Sequence, residues 1–576
     1  MSKETEYDVV VVGAGHNGLV AATYLARAGR RVVVVEARDV VGGACVTEEL
    51  ISGARWSSCA FIAGLLRPEI IEELKLEEHG LELYQSDASS FSLFRDGTYM
   101  FMYPELDRTL VEIESHSPHD ARAFLDFGLR MQQFSRLISP FLLTTPPSRS
   151  EVMRIFEEAG EQDLFDEFVL LSTRDLLDRY FESDHLKGHM MFLGMVSIWG
   201  GPSSPGTAYT YGHHSVGEFR GQFGQWGFVR GGMGGITLAL AEAATSYGAE
   251  IRLQCPVEEI LVSGGSVRGV QLKSGEEIYA PVVVSNADPK RSLLELVDQT
   301  ALNSVFADRV AGIDLRGSMA RIHLLIDELP SYIGVAGGPV EGPQHRAHQL
   351  LGATVENFEK GWEAQRRRCF PDEFVIEAVI QSTTDDTLAE PGQHTLTLGV
   401  QQLSYELAEG DWDTRKEEFT ERVLADLIEY APNIRDHILE RVTITPLDIE
   451  REYGLTEGNI FHGAMFLDQL FGARPLPELA GYRTPIEGYY LCGSGTHPGG
   501  GVTGAPGHNA ANVVLADTMS SQSRSAVVPS TSRKGSKRTL IHRIMKTGIG
   551  RRLGYRVART KALRPAVKIA GRRRRP

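Results

Sequence analysis

The chain has 576 residues, 42% hydrophobic and 23% charged, a composition that excludes a disordered or fibrous protein and implies two or three packed units. The net charge of −16 is unevenly spread: 18 of the 59 Lys and Arg follow Asp517 with no acidic residue among them, leaving 41 against all 75 carboxylates. That is an acidic body with a basic tail.

The first six residues are polar and carry no secretory run. The most apolar stretch, Met190 to Trp199, is about half of the ~20 residues a bilayer crossing needs. Cys45, Cys59, Cys255, Cys369 and Cys492 form no CxxC pair and no zinc-like spacing with histidine. No metal, disulfide framework or redox dithiol is expected, and a reducing, cytoplasmic setting is.

In chain order, Tyr7 to Val12 reads as a buried parallel strand. Gly13-Ala14-Gly15-His16-Asn17-Gly18 follows, then a helix over Leu19 to Ala28, and a second strand over Arg31 to Val35 ending at Glu36. This is a complete dinucleotide-binding unit: Gly13 for the turn, Gly15 for backbone approach to a pyrophosphate, Gly18 for helix packing. The helix N-terminus offers free amides to phosphate, and Glu36 is placed to accept from the adenosine ribose. Glu36 disfavours a ribose phosphate, although Arg38 lies nearby. The glycine pair Gly42-Gly43 lets the chain pass close beneath a pyrophosphate and ribityl group, which favours FAD over NAD.

Arg67 to about Tyr211 is mostly helix-like, with periodic apolar residues such as Phe124, Phe127, Leu129 and Phe134. Trp199 to His214 offers aromatics and histidines for a pocket wall. Gly231 to Tyr247 reads as an alanine-rich helix, followed by short strands at Ile251–Leu253, Val257–Val262, Val267–Leu272 and Val282–Ser285. Asp288 is placed to cap a helix over Pro289 to Val297 rather than to catalyse. Ser318 to Asp327, Phe374 to Ile380 and His394 to Leu403 alternate apolar and polar residues, as strands of an antiparallel sheet with one face covered.

Near the C-terminus, Tyr489-Tyr490-Leu491-Cys492 runs into Gly493-Ser494-Gly495-Thr496-His497-Pro498-Gly499-Gly500-Gly501-Val502-Thr503-Gly504, with a helix predicted over Gly507 to Met519. His497 is the titratable residue of that loop, open to either an acid–base role or packing under a flavin. His462 is a weaker candidate of the same kind.

The segments GAGHNGLVAA, VVGGACVTEE, RGGMGG, VVVSNADP and LCGSGTHPGGGVTGAPG, spread from Tyr7 to about Asp517, resemble the phytoene desaturase branch of the flavin amine oxidase superfamily. They are most similar to its pyridine nucleotide-disulfide oxidoreductase domain-containing protein two group. The resemblance implies an α/β fold, a Rossmann-like FAD-binding domain with an inserted α+β substrate domain holding a mostly antiparallel sheet. The FAD-binding parts would be residues 1–66, 228–297 and 481–519, and the substrate parts 67–227 and 298–480, with a basic tail over 520–576. It also implies that Val257 gives its backbone to the adenine, that Gly493 and Ser494 face the pyrophosphate or ribityl chain, and that Val502 and Gly504 lie against the isoalloxazine.

The implied reaction is hydride transfer from a lipophilic, polyene-like substrate to FAD, by dehydrogenation, desaturation or isomerisation. No second nucleotide fingerprint is visible, so electrons would leave to oxygen, a quinone or another carrier. An amine oxidase and a non-catalytic lipid carrier of the escort-protein type are the rival readings. The basic tail suits an anionic membrane surface or the acidic body itself, and carries no motif for specific nucleic-acid recognition.

Overall fold

In the computed structural model, residues 7–219 and 221–525 are described. A five-stranded parallel sheet is ordered Glu250–Arg252, Val32–Val35, Val9–Val12, Val282–Ser285, Tyr489–Leu491. Its centre is nearly all valine because both faces are covered. Val9, Val11, Val32 and Val34 pack on Leu19, Leu25, Ile236 and Leu240, from helices His16–Arg27 and Gly234–Ser246. Val10, Val12, Val33 and Val35 pack on Ile260, Val267 and Val270 of the antiparallel strands Val257–Ser263 and Ser266–Leu272. A strand buried on both sides has no use for alternation, and each buried valine contributes about 1.5–3 kcal/mol.

The strand order reverses at Val9–Val12, whose neighbours are Val32–Val35 on one side and Val282–Ser285 on the other. The carboxyl ends of such strands leave a crevice. Here Gly13 follows one strand and Asn286 the other.

A second, seven-stranded sheet runs Ile438–Ile444, Ser318–Ile326, His394–Leu403, Ile376–Val379, His348–Leu351, Ser90–Leu93, Tyr99–Met102. All its pairs are antiparallel except His348–Leu351 with Ser90–Leu93. Ala320, Ile322, Leu324 and Ile326 meet Phe419, Val423 and Leu427 of helix Trp412–Tyr430. The expectation of one solvated face is corrected, since all nine residues of Ser318–Ile326 are buried. The face bearing Arg321 and His323 is closed by the chain at Ser58 and Cys59, whose carbonyl oxygens accept from these two side chains.

The segment expected to be mostly helical starts with a short helix, Pro68–Glu73, and then gives two strands to this sheet, Ser90–Leu93 and Tyr99–Met102, before its longer helices from Leu106 onward. Its core gathers Phe127, Phe134, Phe156 and Phe168, while Leu129 is exposed. Asp288 does cap, its Oδ1 accepting from the amides of Lys290 and Arg291, over a short π-helical turn, Arg291–Glu295. The last helix is Ala505–Ser525, longer at both ends than expected. The rest of the basic tail lies outside the described residues, among which no helix is long and apolar enough to cross a membrane.

Several histidines are sealed inside. Burial pushes the imidazoles of His189, His213 and His323 down to about 3, and that of His497 down to about 4. An unfolded chain would protonate them near 6.5, so below that pH the unfolded state binds more protons and stability falls. Each such residue costs about 1.4 kcal/mol per pH unit there. The urea midpoint is therefore expected to drop steeply between about pH 7 and 5; a midpoint flat across that range would mean these imidazoles are not held neutral.

Candidate functional site

The crevice is built from backbone. Gly13 sits at φ +93°, and a Cβ on Gly18 would lie 2.1 Å from the Gly13 carbonyl oxygen, so strand end and helix start touch. Gly15 bridges to Gly42 in parallel fashion, and the Gly42 amide donates to the Ala14 carbonyl at 2.9 Å. Gly42, at φ +128°, sits where any side chain would be strained and would press on Val46 and Thr237. The two glycine signals of the sequence are thus one surface.

Glu36 is buried and accepts from the Ala14 amide at 2.6 Å and the Arg38 amide at 2.9 Å. The Arg38 side chain is not aimed along this line; its Nη2 donates to Glu48 and its guanidinium stacks 4.9 Å from the Tyr453 ring. Backbone bonds from Gln254 to Arg38 and from Cys255 to Glu36 hold the start of strand Val257–Ser263 beside this corner, bringing Val257 near Glu36.

On the opposite side, Asn17 Nδ2 donates to Ser494 Oγ at 3.2 Å, joining the fingerprint helix to the C-terminal glycine loop. Gly493 packs on the Asn286 backbone, and Gly504 on Val20 and Ile70. The loop is stapled by Arg474, fully buried, whose guanidinium donates to the carbonyls of Phe461, Ala464, Gln469, Ser494 and Thr496. Burial pulls Arg474 down to about 10. Nothing in its sequence context, Ala473-Arg474-Pro475, announced this role.

His497 is buried, with Nε2 bonded to the Phe141 carbonyl oxygen at 2.9 Å, and lies off the cavity wall described below. His462 lies by Asp288 and Arg474. His213 bonds the Gly500 carbonyl oxygen at 2.9 Å, supporting the loop from behind.

Past Gly501 and Val502 opens a cavity of about 360 Å³. Its walls are mainly apolar, including Phe61, Leu65, Met190, Phe192, Trp226 and Phe461. His214 and Tyr211 from the expected aromatic segment reach it, whereas Trp199 does not. Arg321, Glu377, His348 and Gln401, on strands of the second sheet, supply a polar patch that the sequence reading missed. Its signal was Gly399, a glycine inside a strand, which marks a close approach: a Cβ there would lie 1.8 Å from Arg321 Nη1.

Comparison with known proteins gives the same picture. The model of the flavin-containing amine oxidoreductase family matches residues 18–325. A rat protein, pyridine nucleotide-disulfide oxidoreductase domain-containing protein 2, is 37% identical over 89% of this chain and 94% of its own length. The chain belongs to the flavin-containing amine oxidoreductase family. Its cofactor is FAD. A limonene dehydrogenase component from Castellaniella defragrans is 27% identical over 90% of this chain and 96% of its own. The fold matches an oxidoreductase from Methanosarcina mazei with TM-score 0.54 at 18% identity, covering 88% of this chain and 99% of that one.

The crevice residues fit that group. His16 Nε2, Asn17 Oδ1, Arg38 Nη1 and His462 Nδ1 are buried without a hydrogen-bond partner among the described residues. Each such atom costs about 1–3 kcal/mol unless satisfied; phosphate oxygens accept from N–H donors such as Arg38 Nη1, and ribose or ribityl hydroxyls donate to an acceptor such as Asn17 Oδ1.

Gly15→Val is expected to lower FAD affinity at least about tenfold, since its Cβ would lie 2.6 Å from Asn286 Nδ2; flavin-to-protein absorbance ratio after dialysis reads this. Arg474→Met leaves several buried carbonyls unpaired and should cost about 3 kcal/mol or more in urea denaturation. A midpoint equal to that of the wild type would remove the staple from the account.

Proposed function

We propose that this FAD oxidoreductase dehydrogenates, desaturates or isomerises a lipophilic, polyene- or terpenoid-like molecule, with hydride passing from substrate carbon to flavin. The observation that carries this reading is the continuity between the glycine loop and the mainly apolar cavity, joined at Gly501 and Val502. Among relatives, the limonene dehydrogenase component carries a hydrocarbon substrate in its name, which supports the same class.

In this reading Gly13, Gly15, Gly18, Gly42 and Gly43 admit the pyrophosphate to within backbone hydrogen-bonding range, and Glu36 accepts from the ribose hydroxyls. Arg38 positions Glu36 through its amide. Val257 borders the adenine, Gly493 and Ser494 the pyrophosphate or ribityl chain, and Val502 and Gly504 the ring system. Bound FAD supplies the hydride acceptor; the chain supplies orientation and a dry cavity, which hold the reacting carbon in line. His497 holds the loop to Phe141 rather than acting on substrate. Electrons then leave to oxygen, a quinone or another carrier, and the basic tail brings the enzyme to an anionic membrane surface where such substrates reside.

The test is anaerobic mixing of the holoprotein with a panel of terpenes, polyenes and amines. Bleaching of the flavin absorbance by terpenes or polyenes supports the reading. Bleaching by amines alone, with hydrogen peroxide released on return of air, replaces it with amine oxidation.

A further inference from the structure

Three residues on three strands form a buried chain across the cavity wall. Arg321, Gly399 and Glu377 lie in one cross-strand row, Arg321 facing Gly399 and Gly399 facing Glu377. Because Gly399 has no side chain, the guanidinium passes over it, and Arg321 Nη1 donates to Glu377 Oε2 at 3.0 Å. Arg321 Nε donates to the Cys59 carbonyl oxygen at 3.0 Å, and the guanidinium lies 4.2 Å from the Phe61 ring centre. The other carboxylate oxygen, Oε1, is 2.9 Å from His348 Nε2. Arg321 and Glu377 are each 4% exposed and His348 7%, and all three line the cavity.

A buried arginine–glutamate pair gains little stability over apolar residues of similar size, so its geometry calls for another account. While ionised, Glu377 has no hydrogen to donate and both carboxylate oxygens can only accept. Burial pushes its carboxyl up, but the Arg321 charge and the His348 hydrogen bond outweigh that and hold it below the usual range. Its Oε1 therefore accepts a hydrogen bond from His348 Nε2–H and fixes the tautomer that carries hydrogen on Nε2. His348 Nδ1 is then the lone-pair nitrogen. It has no hydrogen-bond partner among the described residues and is not one of the sealed polar atoms, so it is open to the cavity.

We propose that His348 is the substrate-facing base of this cavity, with Glu377 and Arg321 as its positioning residues. This rests on the function proposed above. In a dehydrogenation, one C–H bond gives up its hydrogen with both electrons to FAD, which is reduced. The adjacent C–H bond gives its proton to His348 Nδ1, and the electron pair it leaves forms the new carbon–carbon double bond. His348 becomes an imidazolium paired with the Glu377 carboxylate. The other groups facing this point are His189 from helix Asp184–Met195 and His214 from helix Thr207–Ser215, both pushed toward the neutral form mainly by burial.

Two measurements decide it. In holoprotein labelled with ¹⁵N-histidine, the signal assigned to His348 by its loss in His348→Gln should show a protonated Nε2 and a bare Nδ1 near neutral pH; a protonated Nδ1 overturns the proposal. In anaerobic stopped flow with whichever panel hydrocarbon bleaches the wild-type flavin, His348→Gln and His348→Asn should slow reduction by about 10²–10⁴-fold. Flavin content should stay unchanged. A variant as fast as the wild type, with its pH profile intact, overturns the role of His348 while leaving the hydrocarbon reading standing. If no hydrocarbon bleaches the wild type, the underlying function fails and this inference falls with it.

Discussion

Backbone touching backbone at one strand crossover governs this molecule. The carbonyl of Gly13, the Cα of Gly15, the Gly42 turn and the chain at Asn286 meet where the sheet order reverses, and an added Cβ would come within 2.1 Å of its neighbour at Gly18, 2.6 Å at Gly15 and 3.0 Å at Gly42. Such packing opens a crevice whose surface is peptide amide rather than side chain, the surface a pyrophosphate needs. The helix Ala505–Ser525 must then start against the same spot, and Gly507 meets the Asn17 backbone because only a glycine allows it. One constraint thus ties residues near 15, 42, 286 and 505 into a single surface, which explains why signals so far apart in the chain belong to one cofactor.

The second sheet solves a different problem. Its outer face is an ordinary apolar contact with Trp412–Tyr430, but its inner face must border a cavity without filling it. Arg321, His323, Glu377 and Gln401 sit on that inner face: Arg321 donates to the Cys59 carbonyl and the Glu377 carboxylate, His323 bonds the Thr397 hydroxyl and the Ser58 carbonyl, and Gln401 Oε1 accepts from the Ser197 amide. The desolvation cost of such a wall is large, and satisfying it consumes most of its hydrogen-bonding capacity.

The legibility of the chain in its sequence follows the same division. The fingerprint, Glu36, the glycine pair and the C-terminal loop were readable because a local chemical demand, close backbone approach, imposes fixed residue types at fixed spacing. Val9 to Val12 and Val282 to Ser285 were readable as strands because burial on both faces leaves a run of valine. The inner face of the second sheet was read as solvated because Arg321, His323 and Glu377 alternate with apolar neighbours, and alternation carries no mark of what covers the polar side. Arg474 was invisible for a related reason: its partners are carbonyls of the chain before it, such as Phe461 and Ala464, and of the glycine loop after it, at Ser494 and Thr496, and a carbonyl has no sequence signature.

His497 shows where that local logic stops. The residue sits in the most conspicuous motif of the C-terminal third, yet its Nε2 is bonded to the Phe141 carbonyl, its Nδ1 is sealed away from the cavity, and burial pushes it toward the neutral form. His348 sits in no motif, but the fold brings it to a cavity with one nitrogen engaged by a carboxylate and the other open. Proton chemistry depends on which ring nitrogen is spent, and only tertiary contact determines that. Motifs in this chain therefore report where backbone must approach backbone, whereas the polar groups that line the cavity are selected by the strands that cross it.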